Sequence, residues 1–290
     1  MTHDEIKYYT NLFLNTPKEN SIKSDYGKLF IIAGSKNYPF AGLISEQAAY
    51  IASPGYISFL TNDFNKSVYY NRCQLTTTFI NCEYTNDSYN IEQSLDSILK
   101  YDSILFGNGL NDDEANLNTL DKLITNYKGN LIIDATGIYL LKKVNKEILK
   151  SHACHIILTP HLKECDDLLN VNLKNQRDAF LYLKEVMLFS KQYNIDLLIK
   201  GSSSLIVTPD EYIFNKHSNT SLSKAGTGDF LAGLLAGFLS YSDKMYVGKI
   251  KVIDYVDTLL HDTATILEKK KLIRSINVFD IKDYIETLKE

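Results

Sequence analysis

The sequence of 290 residues has no tryptophan and only 4 cysteines, and neither charge is in large excess. No two cysteines form a Cys-x-x-Cys pair, so neither a redox motif nor a disulfide scaffold is indicated, and we expect reduced thiols. No run approaches the ~20 apolar residues that a membrane-spanning helix needs. The first residues carry acids early and contain no apolar signal core. We therefore expect a cytoplasmic protein with no membrane partner.

The formal net charge of -4 argues against a nucleic-acid partner, because phosphate backbones are normally bound by a basic face. A nucleotide is compatible with this charge, since backbone N–H groups can hold phosphates without net positive charge. Cys154, His155, His161 and Cys165 belong to the residue types that bind zinc. An apolar strand is expected at residues 156–158 and would separate them, whereas zinc needs ligands that converge. We therefore assign no metal ligand among the protein side chains.

Short apolar runs alternate with helical stretches along the chain. Predicted strands cover residues 29–33, 57–60, 103–106, 131–133, 156–158 and 197–199, with a hairpin at 204–207 and 212–215. Predicted helices cover residues 41–52, 112–126, 163–169, 176–192, 228–239, 248–269 and 278–288. Continuously apolar strands are typical of a parallel sheet that helices cover on both faces. The alternation predicts a doubly wound α/β fold with a mainly parallel sheet.

Unusual residues fall where these strands end. Gly34, Ser35, Gly107, Gly109, Asp134, His161 and Lys200 each follow a predicted strand. In doubly wound folds, ligands bind at the carboxyl ends of the strands. Turns need glycine for their own reasons, so each residue alone is weak support, but their repetition at successive strand ends predicts a binding site there.

The segment from Lys224 to Asp229, with the sequence Lys-Ala-Gly-Thr-Gly-Asp, precedes a helix rich in small residues. The backbone N–H groups of Ala225, Gly226, Thr227 and Gly228 and the positive end of the helix dipole can bind an anion. No Gly-Lys-Ser/Thr follows, so this is not a Walker A loop. Asp229 would repel a phosphate, but it would suit an acceptor hydroxyl as the base that removes its proton. The alternative is a glycine-rich turn in which Asp229 is a charge at the helix start.

The Gly-Thr-Gly-Asp segment resembles the signature of the ribokinase-like superfamily. Within it, the chain resembles the ADP/ATP-dependent NAD(P)H-hydrate dehydratases over about residues 20–285. The other matching segments are the glycine-serine loop from Ser24 through Gly34 and Ser35 to Tyr38 and Ala41, the Gly107-Asn108-Gly109-Leu110 loop, the strand 131–135 that ends in Asp-Ala, the motif Leu158-Thr159-Pro160-His161-x-x-Glu164, and Lys200-Gly201. The resemblance implies one ribokinase-like domain over residues 1–290, with residues 1–23 as an N-terminal helix or extension.

The resemblance also implies roles for individual residues. The hydrated dinucleotide NAD(P)HX would contact Ala41, Gly107, Gly109, His161 and Asp229. ADP or ATP would contact Lys200, Gly201, Ser202, Ser203, Ser204 and Gly228. Asp229 would take the proton from the ring hydroxyl, which would be phosphorylated before phosphate leaves and the ring double bond is restored. Mg²⁺ would bridge the nucleotide phosphates. The family further suggests a homo-oligomer.

Several positions depart from the family pattern. Phe40 and Ala225 replace glycines, Asn108 replaces a proline, and Lys163 replaces the glycine before Glu164. Phe40 and Lys163 flank the expected substrate site. Some roles also stay open: Asp134 either binds Mg²⁺ through water or caps the next helix, and His161 either binds substrate or is a polar residue at a helix start.

Two other functions fit the same pattern. One is a ribokinase-like kinase for a vitamin precursor alcohol such as hydroxymethylpyrimidine, hydroxyethylthiazole or pyridoxal. The other is a dinucleotide-binding regulator without catalysis, which an intact Asp229 disfavours, because a pure binder gains nothing from a carboxylate beside a phosphate.

Overall fold

The computed structural model describes residues 1–15, 19–60, 63–80, 83–85, 88–170, 179–201, 203–216 and 219–288. The strands are β1 (Lys28–Ile32), β2 (Tyr56–Leu60), β3 (Thr78–Ile80), β4 (Glu83–Thr85), β5 (Ser88–Asn90), β6 (Ser103–Phe106), β7 (Asn130–Ile133), β8 (His155–Leu158), β9 (Ile195–Ile199), β10 (Leu205–Val207) and β11 (Tyr212–Phe214).

The α-helices are α1 (His3–Leu14), α2 (Pro39–Ile51), α3 (Asp63–Tyr69), α4 (Leu95–Ile98), α5 (Glu114–Asn126), α6 (Thr136–Leu141), α7 (Lys146–Lys150), α8 (Leu162–Leu169), α9 (Ala179–Tyr193), α10 (Thr227–Ser242), α11 (Lys249–Lys270) and α12 (Val278–Thr287). Short 3-10 helices lie at Lys23–Tyr26, Glu92–Ser94, Asp243–Met245 and Ile273–Ser275. No helix in these described ranges is long and apolar enough to cross a membrane.

The main sheet has 9 strands in the order β11-β10-β9-β8-β7-β6-β1-β2-β3. The strands from β9 to β3 are parallel, and β10 runs antiparallel to both of its neighbours. The chain leaves β1 toward β2 and β3 on one side and later returns to β6 on the other. The point where the order reverses, between β1 and β6, is where ligands bind in open α/β sheets.

Alternate side chains of each central strand enter two separate cores. Leu29 and Ile31 of β1 pack with residues of α1, α2, α10 and α11 on one face. Phe30 and Ile32 of the same strand pack with residues of α5, α6, α8 and α9 on the other. Burial on both faces explains why these strands are continuously apolar. The predicted doubly wound α/β fold is therefore confirmed.

Helix α10 lies directly against α2. A Cβ built on Gly233 of α10 would come within 2.1 Å of the Ser45 carbonyl oxygen, so no larger residue fits there. Phe238 of α10 packs against Phe13 of α1 with ring centroids 5.1 Å apart. The core therefore fixes the position of α10, whose first turn carries the Gly-Thr-Gly-Asp segment.

The predicted helices and strands are found with shifts of a few residues at their ends. Residues 176–178 of the predicted helix 176–192 lie outside the described residues, and α9 is described from Ala179. The short elements α3, α4, α6, α7, β3, β4 and β5 were not predicted.

Candidate active site

The unusual residues at the strand ends do meet along one edge of the sheet. The backbone N–H of Gly34, after β1, donates to the Asn108 carbonyl oxygen, after β6, at 2.7 Å. The backbone N–H of Lys200, after β9, donates to the Pro160 carbonyl oxygen, after β8, at 2.7 Å. Parallel pairing therefore brings the ends of five neighbouring strands into one row.

Asp134, at the end of β7, is the centre of this row. Its Oδ1 accepts from the Lys200 ammonium at 2.8 Å and from the Thr159 hydroxyl at 2.8 Å. Its Oδ2 accepts from the Asn108 amide at 2.9 Å. The side chain is only 2% exposed. The helix-cap role considered for Asp134 is wrong, because α6 has Ala135 at its N-cap and no side-chain cap bond.

Asp229 is the third residue of α10 and faces this network. Its Oδ1 accepts from the Asn108 amide at 2.8 Å. Within the described residues, no hydrogen bond reaches its other oxygen. Burial is the main reason that the pKa of Asp229 rises to about 6. The charge of Asp134 contributes to this rise, and the Asn108 hydrogen bond and the Lys200 charge partly offset it. A carboxylate with this pKa and an open oxygen can act as a general base near neutral pH.

A cavity of about 500 Å³ adjoins the network on the Lys200 side. Its lining contains Lys200, Gly201, Ser204 and Gly228, which the family resemblance assigns to the nucleotide. Ser203 is not in the lining. Ser202, assigned with them, lies outside the described residues. A volume of this size is ordinary for a small-molecule site.

The start of α10 forms one wall of the cavity. Ala225, Thr227 and Gly228 line it, and Gly226 is the N-cap with a φ of +87°, a conformation that favours glycine. The first helical hydrogen bond runs from Phe230 N to Gly226 O, so the N–H groups of Gly228 and Asp229 have no acceptor within the helix. The Thr227 N–H donates to the Lys224 carbonyl at 3.3 Å. An anion binding here would therefore contact the Gly228 N–H.

Ala41 and Gly109 lie against each other and are not part of the cavity lining. A Cβ on Gly109 would come within 2.7 Å of the Ala41 Cβ, and one on Gly107 within 2.1 Å of the Asp134 carbonyl oxygen. Both glycines are therefore required where the chain packs on itself. Their contact with a dinucleotide stays a prediction.

His161 has a structural role and also lines the cavity. It is the N-cap of α8, where its Nδ1 accepts from the Glu164 N–H at 3.1 Å and Glu164 Oε2 accepts from the His161 N–H at 2.8 Å. Its side chain is 50% exposed. The cavity lining contains His161 together with Gly228, but it does not contain Ala41 or Gly109. The structure therefore places His161 nearer to the expected nucleotide residues than the sequence predicted.

A polar group on the cavity wall was not predicted. His261 Nδ1 lies 2.8 Å from Asn219 Oδ1, and His261 Nε2 lies 3.3 Å from the Ser204 hydroxyl. Asp257 Oδ1 lies 3.7 Å from His261 Nε2. The sequence signal for this group was weak, because it consists only of His261 four residues after Asp257 on the buried face of a long helix. Lys224 also lines the cavity, and its ammonium donates to the carbonyls of Arg274 and Ile276.

The residues once considered for zinc have other partners. Burial raises the pKa of both Cys154 and Cys165 to about 12, which disfavours the thiolate that binds metal. His155 Nε2 lies 2.7 Å from Asp196 Oδ2. The described part of the chain contains no group of three or more histidine, cysteine or acidic residues placed to hold a metal ion.

Solved structures with the same fold define the class of protein. The chain aligns with a ribokinase-like superfamily protein from Enterococcus faecalis at a TM-score of 0.80 and 20% identity, over 99% of this chain and 95% of that one. It aligns with the ADP/ATP-dependent NAD(P)H-hydrate dehydratase of Bacillus subtilis, co-crystallised with ATP/Mg²⁺, at a TM-score of 0.78 and 20% identity, over 97% and 95% of the two chains. The fold is therefore ribokinase-like.

Sequence comparison gives the particular family. The ADP-dependent (S)-NAD(P)H-hydrate dehydratase of Staphylococcus aureus is 28% identical over 80% of each chain. The corresponding enzyme of Streptococcus thermophilus is 27% identical over 76% of each. The model of the NAD(P)H-hydrate dehydratase family matches residues 29–286, and the chain belongs to that family.

Proposed function

We propose that this protein converts (6S)-NADHX and (6S)-NADPHX back to NADH and NADPH, with ADP or ATP as the phosphate donor. The observation that carries the proposal is the Asp229 carboxylate, which has a pKa of about 6 and directly follows a residue of the cavity wall. Family membership supplies the substrate class, and the dependence on ADP comes from the names of the bacterial relatives.

In the first step, Asp229 removes the proton from the C6 hydroxyl of the hydrated ring. The hydroxyl oxygen then bonds to the terminal phosphorus of the nucleotide, and the bond from that phosphorus to the bridging oxygen breaks. In the second step, the C6–O bond breaks and phosphate leaves with its electron pair, while the proton lost from C5 passes to the departing phosphate as the C5–C6 double bond forms. Phosphorylation is useful because phosphate is a much better leaving group than hydroxide.

The nucleotide would occupy the cavity with its phosphates toward the start of α10. The free Gly228 N–H and the helix dipole would hold the transferring phosphate, together with the Lys200 ammonium. Lys200 is suited to this, because a Cβ on Gly228 would lie only 3.2 Å from its Nζ. We also assign the cavity residues Gly201 and Ser204 to this ligand.

Mg²⁺ would enter as part of the nucleotide complex and neutralise phosphate charge. The residues around Asp134 suit a metal ion that is held by the phosphate oxygens of the nucleotide rather than by protein carboxylates. Both oxygens of Asp134 already accept hydrogen bonds from Lys200, Thr159 and Asn108. Contact between Asp134 and the metal would therefore run through water.

The dinucleotide would lie on the Asp229 side, along Ala41, Gly107 and Gly109, with His161 at the boundary between the two ligands. We further propose that residues 1–290 form one domain that acts in the cytoplasm as a homo-oligomer. Contacts support the inclusion of residues 1–23 in that domain, because the Thr10 hydroxyl lies 3.0 Å from the Tyr255 hydroxyl of α11.

The test is recovery of absorbance at 340 nm from hydrated NADH and hydrated NADPH. We expect recovery when ADP or ATP is present with Mg²⁺, and none when the nucleotide is omitted. Free phosphate should appear in equal amount. A protein that instead phosphorylates hydroxymethylpyrimidine, hydroxyethylthiazole or pyridoxal, and leaves hydrated NADH unchanged, is a kinase and contradicts the proposal.

A further inference from the structure

Asn108 lies at the point where the strand order reverses, between β1 and β6. It is fully buried, and its carbonyl oxygen accepts from the Gly34 N–H at 2.7 Å. Its side chain therefore starts from a fixed backbone position, and it points toward the two carboxylates of the site.

The Asn108 amide joins these two carboxylates. Its Nδ2 donates to Asp134 Oδ2 at 2.9 Å and to Asp229 Oδ1 at 2.8 Å. An amide NH₂ has two hydrogens, so both are used. Reversing the amide would place its oxygen against two carboxylate oxygens. The orientation is therefore fixed by charge.

The oxygen of the Asn108 amide lowers the stability of the folded protein. Asn108 Oδ1 is buried and has no hydrogen-bond partner among the described residues. An unpaired buried acceptor is destabilising, and such groups in native structures call for an explanation. Packing does not supply one, because an apolar residue of similar size would avoid the cost. The two carboxylates do supply one.

We propose that Asn108 is a positioning residue for catalysis: it holds the Asp229 carboxylate by one oxygen, keeps it apart from Asp134, and leaves the other oxygen open toward the substrate hydroxyl. This rests on the dehydratase function proposed above. The Gly-Pro-Gly-Leu loop that this segment resembles has no side-chain donor at this position. Asn108 therefore gives the loop a hydrogen bond to Asp229 that a proline could not make.

Removal of the amide should change the ionisation of Asp229. The charged groups that face Asp229 are Asp134, from the end of β7, and Lys200, from the end of β9. Without Asn108, the anion loses its hydrogen bond and keeps the repulsion from Asp134. Loss of a hydrogen bond to a carboxylate raises its pKa by roughly one unit or more. The acidic limb of the pH profile of kcat/KM should therefore move to higher pH by about that much.

The experiment compares Asn108→Ala with Asn116→Ala. Asn116 is a matched control because it is also a buried asparagine, with an amide that donates to Asn111 O at 3.0 Å and to Asp113 Oδ2 at 3.3 Å, and an Oδ1 without a partner in the described chain. It does not contact Asp229. Both variants lose a buried amide, but only Asn108→Ala loses the hydrogen bond to Asp229.

We expect Asn108→Ala to lower kcat by roughly tenfold at pH 7, to shift the acidic limb upward, and to leave the Kd for ADP within about twofold. Asn116→Ala should leave the acidic limb in place. An unmoved limb in Asn108→Ala, or equal shifts in both variants, would overturn the proposal. Absence of turnover in the wild-type protein would instead contradict the dehydratase function.

A second measurement does not need activity. The pH dependence of Tm is compared between wild type and Asp229→Asn, and again between the same pair in an Asn108→Ala background. In each pair, the difference in Tm should change with pH until Asp229 is fully ionised in the folded protein. We expect this change to continue to a higher pH in the pair that lacks Asn108. The same pH range in both pairs would show that Asn108 does not act on Asp229.

Discussion

Replacement of Asp229 by asparagine should remove activity and stabilise the fold. Asparagine keeps the size of aspartate, and its oxygen can still accept from the Asn108 amide. It removes a charge that is buried beside Asp134. The pKa of Asp229 rises from 3.8 to about 6 in the folded protein, so folding opposes its ionisation.

The sign of the pH dependence follows from this shift. Between pH 3.8 and about 6 the folded state binds more protons than the unfolded state, so stability falls as pH rises through this window. Above it the full cost is present. At 1.36 kcal/mol per pKa unit the cost is at most about 3 kcal/mol, and the partial exposure of the Asp229 side chain reduces it to about 1–2 kcal/mol.

Thermal melting from pH 4 to pH 8.5 measures this effect. At pH 8 we expect the Tm of Asp229→Asn to exceed that of the wild type by roughly 2–4 °C for each kcal/mol that ionised Asp229 costs the wild type. This difference in Tm should vanish toward pH 4. Turnover should fall by ~10²–10⁴, the range for loss of a general base. Asp210→Asn is the control, because Asp210 is exposed in the turn between β10 and β11. An Asp229→Asn variant that melts below the wild type at pH 8, or turns over at a similar rate, would refute the reasoning.

Two further changes test how the ligands are divided. Gly228→Ala should fold normally but raise the Kd for ADP by roughly tenfold in calorimetry, because its Cβ would lie 3.2 Å from Lys200 Nζ at the phosphate position; unchanged affinity would make Gly228 a turn former. The family resemblance assigns His161 to the dinucleotide, although the residue also lines the cavity, so His161→Ala should weaken NADP⁺ binding by roughly tenfold and leave the Kd for ADP within about twofold. His161→Asn keeps an N-cap acceptor and should weaken NADP⁺ binding without loss of the helix cap. If His161→Asn weakens ADP and spares NADP⁺, His161 belongs to the nucleotide side.

The central strands could be predicted because their burial leaves a strong pattern. Residues 103–106 form β6 as predicted, since both faces of this strand are covered and every residue is apolar or small. The strands β4 and β5 have three residues each, and within the described part of the chain they pair only with each other. Such short elements give too few residues for a period to be visible.

The strand-end residues could be predicted as a row, but their partners could not. The residues that follow each predicted strand can be identified from the sequence, so Asp134 and Lys200 were expected at the same edge of the sheet. That Lys200 pairs with Asp134, at 2.8 Å, depends on side-chain directions across the end of β8, the one strand that lies between theirs. Likewise, His261 reaches the cavity from α11, more than fifty residues along the chain from Ser204. Long-range contacts of this kind leave no local pattern.

The charges of the site explain how an acidic protein can join two anionic ligands. With Asp229 ionised, the network holds two carboxylates and one ammonium, and Lys200 is bound to the buried Asp134 rather than to the base. Phosphate therefore meets a neutral ion pair and the positive end of α10 on one side. The uncompensated negative charge lies on the other side, held by the Asn108 amide. A hydroxyl that enters there meets a base, and the phosphate that it attacks meets donors. The separation of the two carboxylates is what allows both chemical roles within one hydrogen-bonded network.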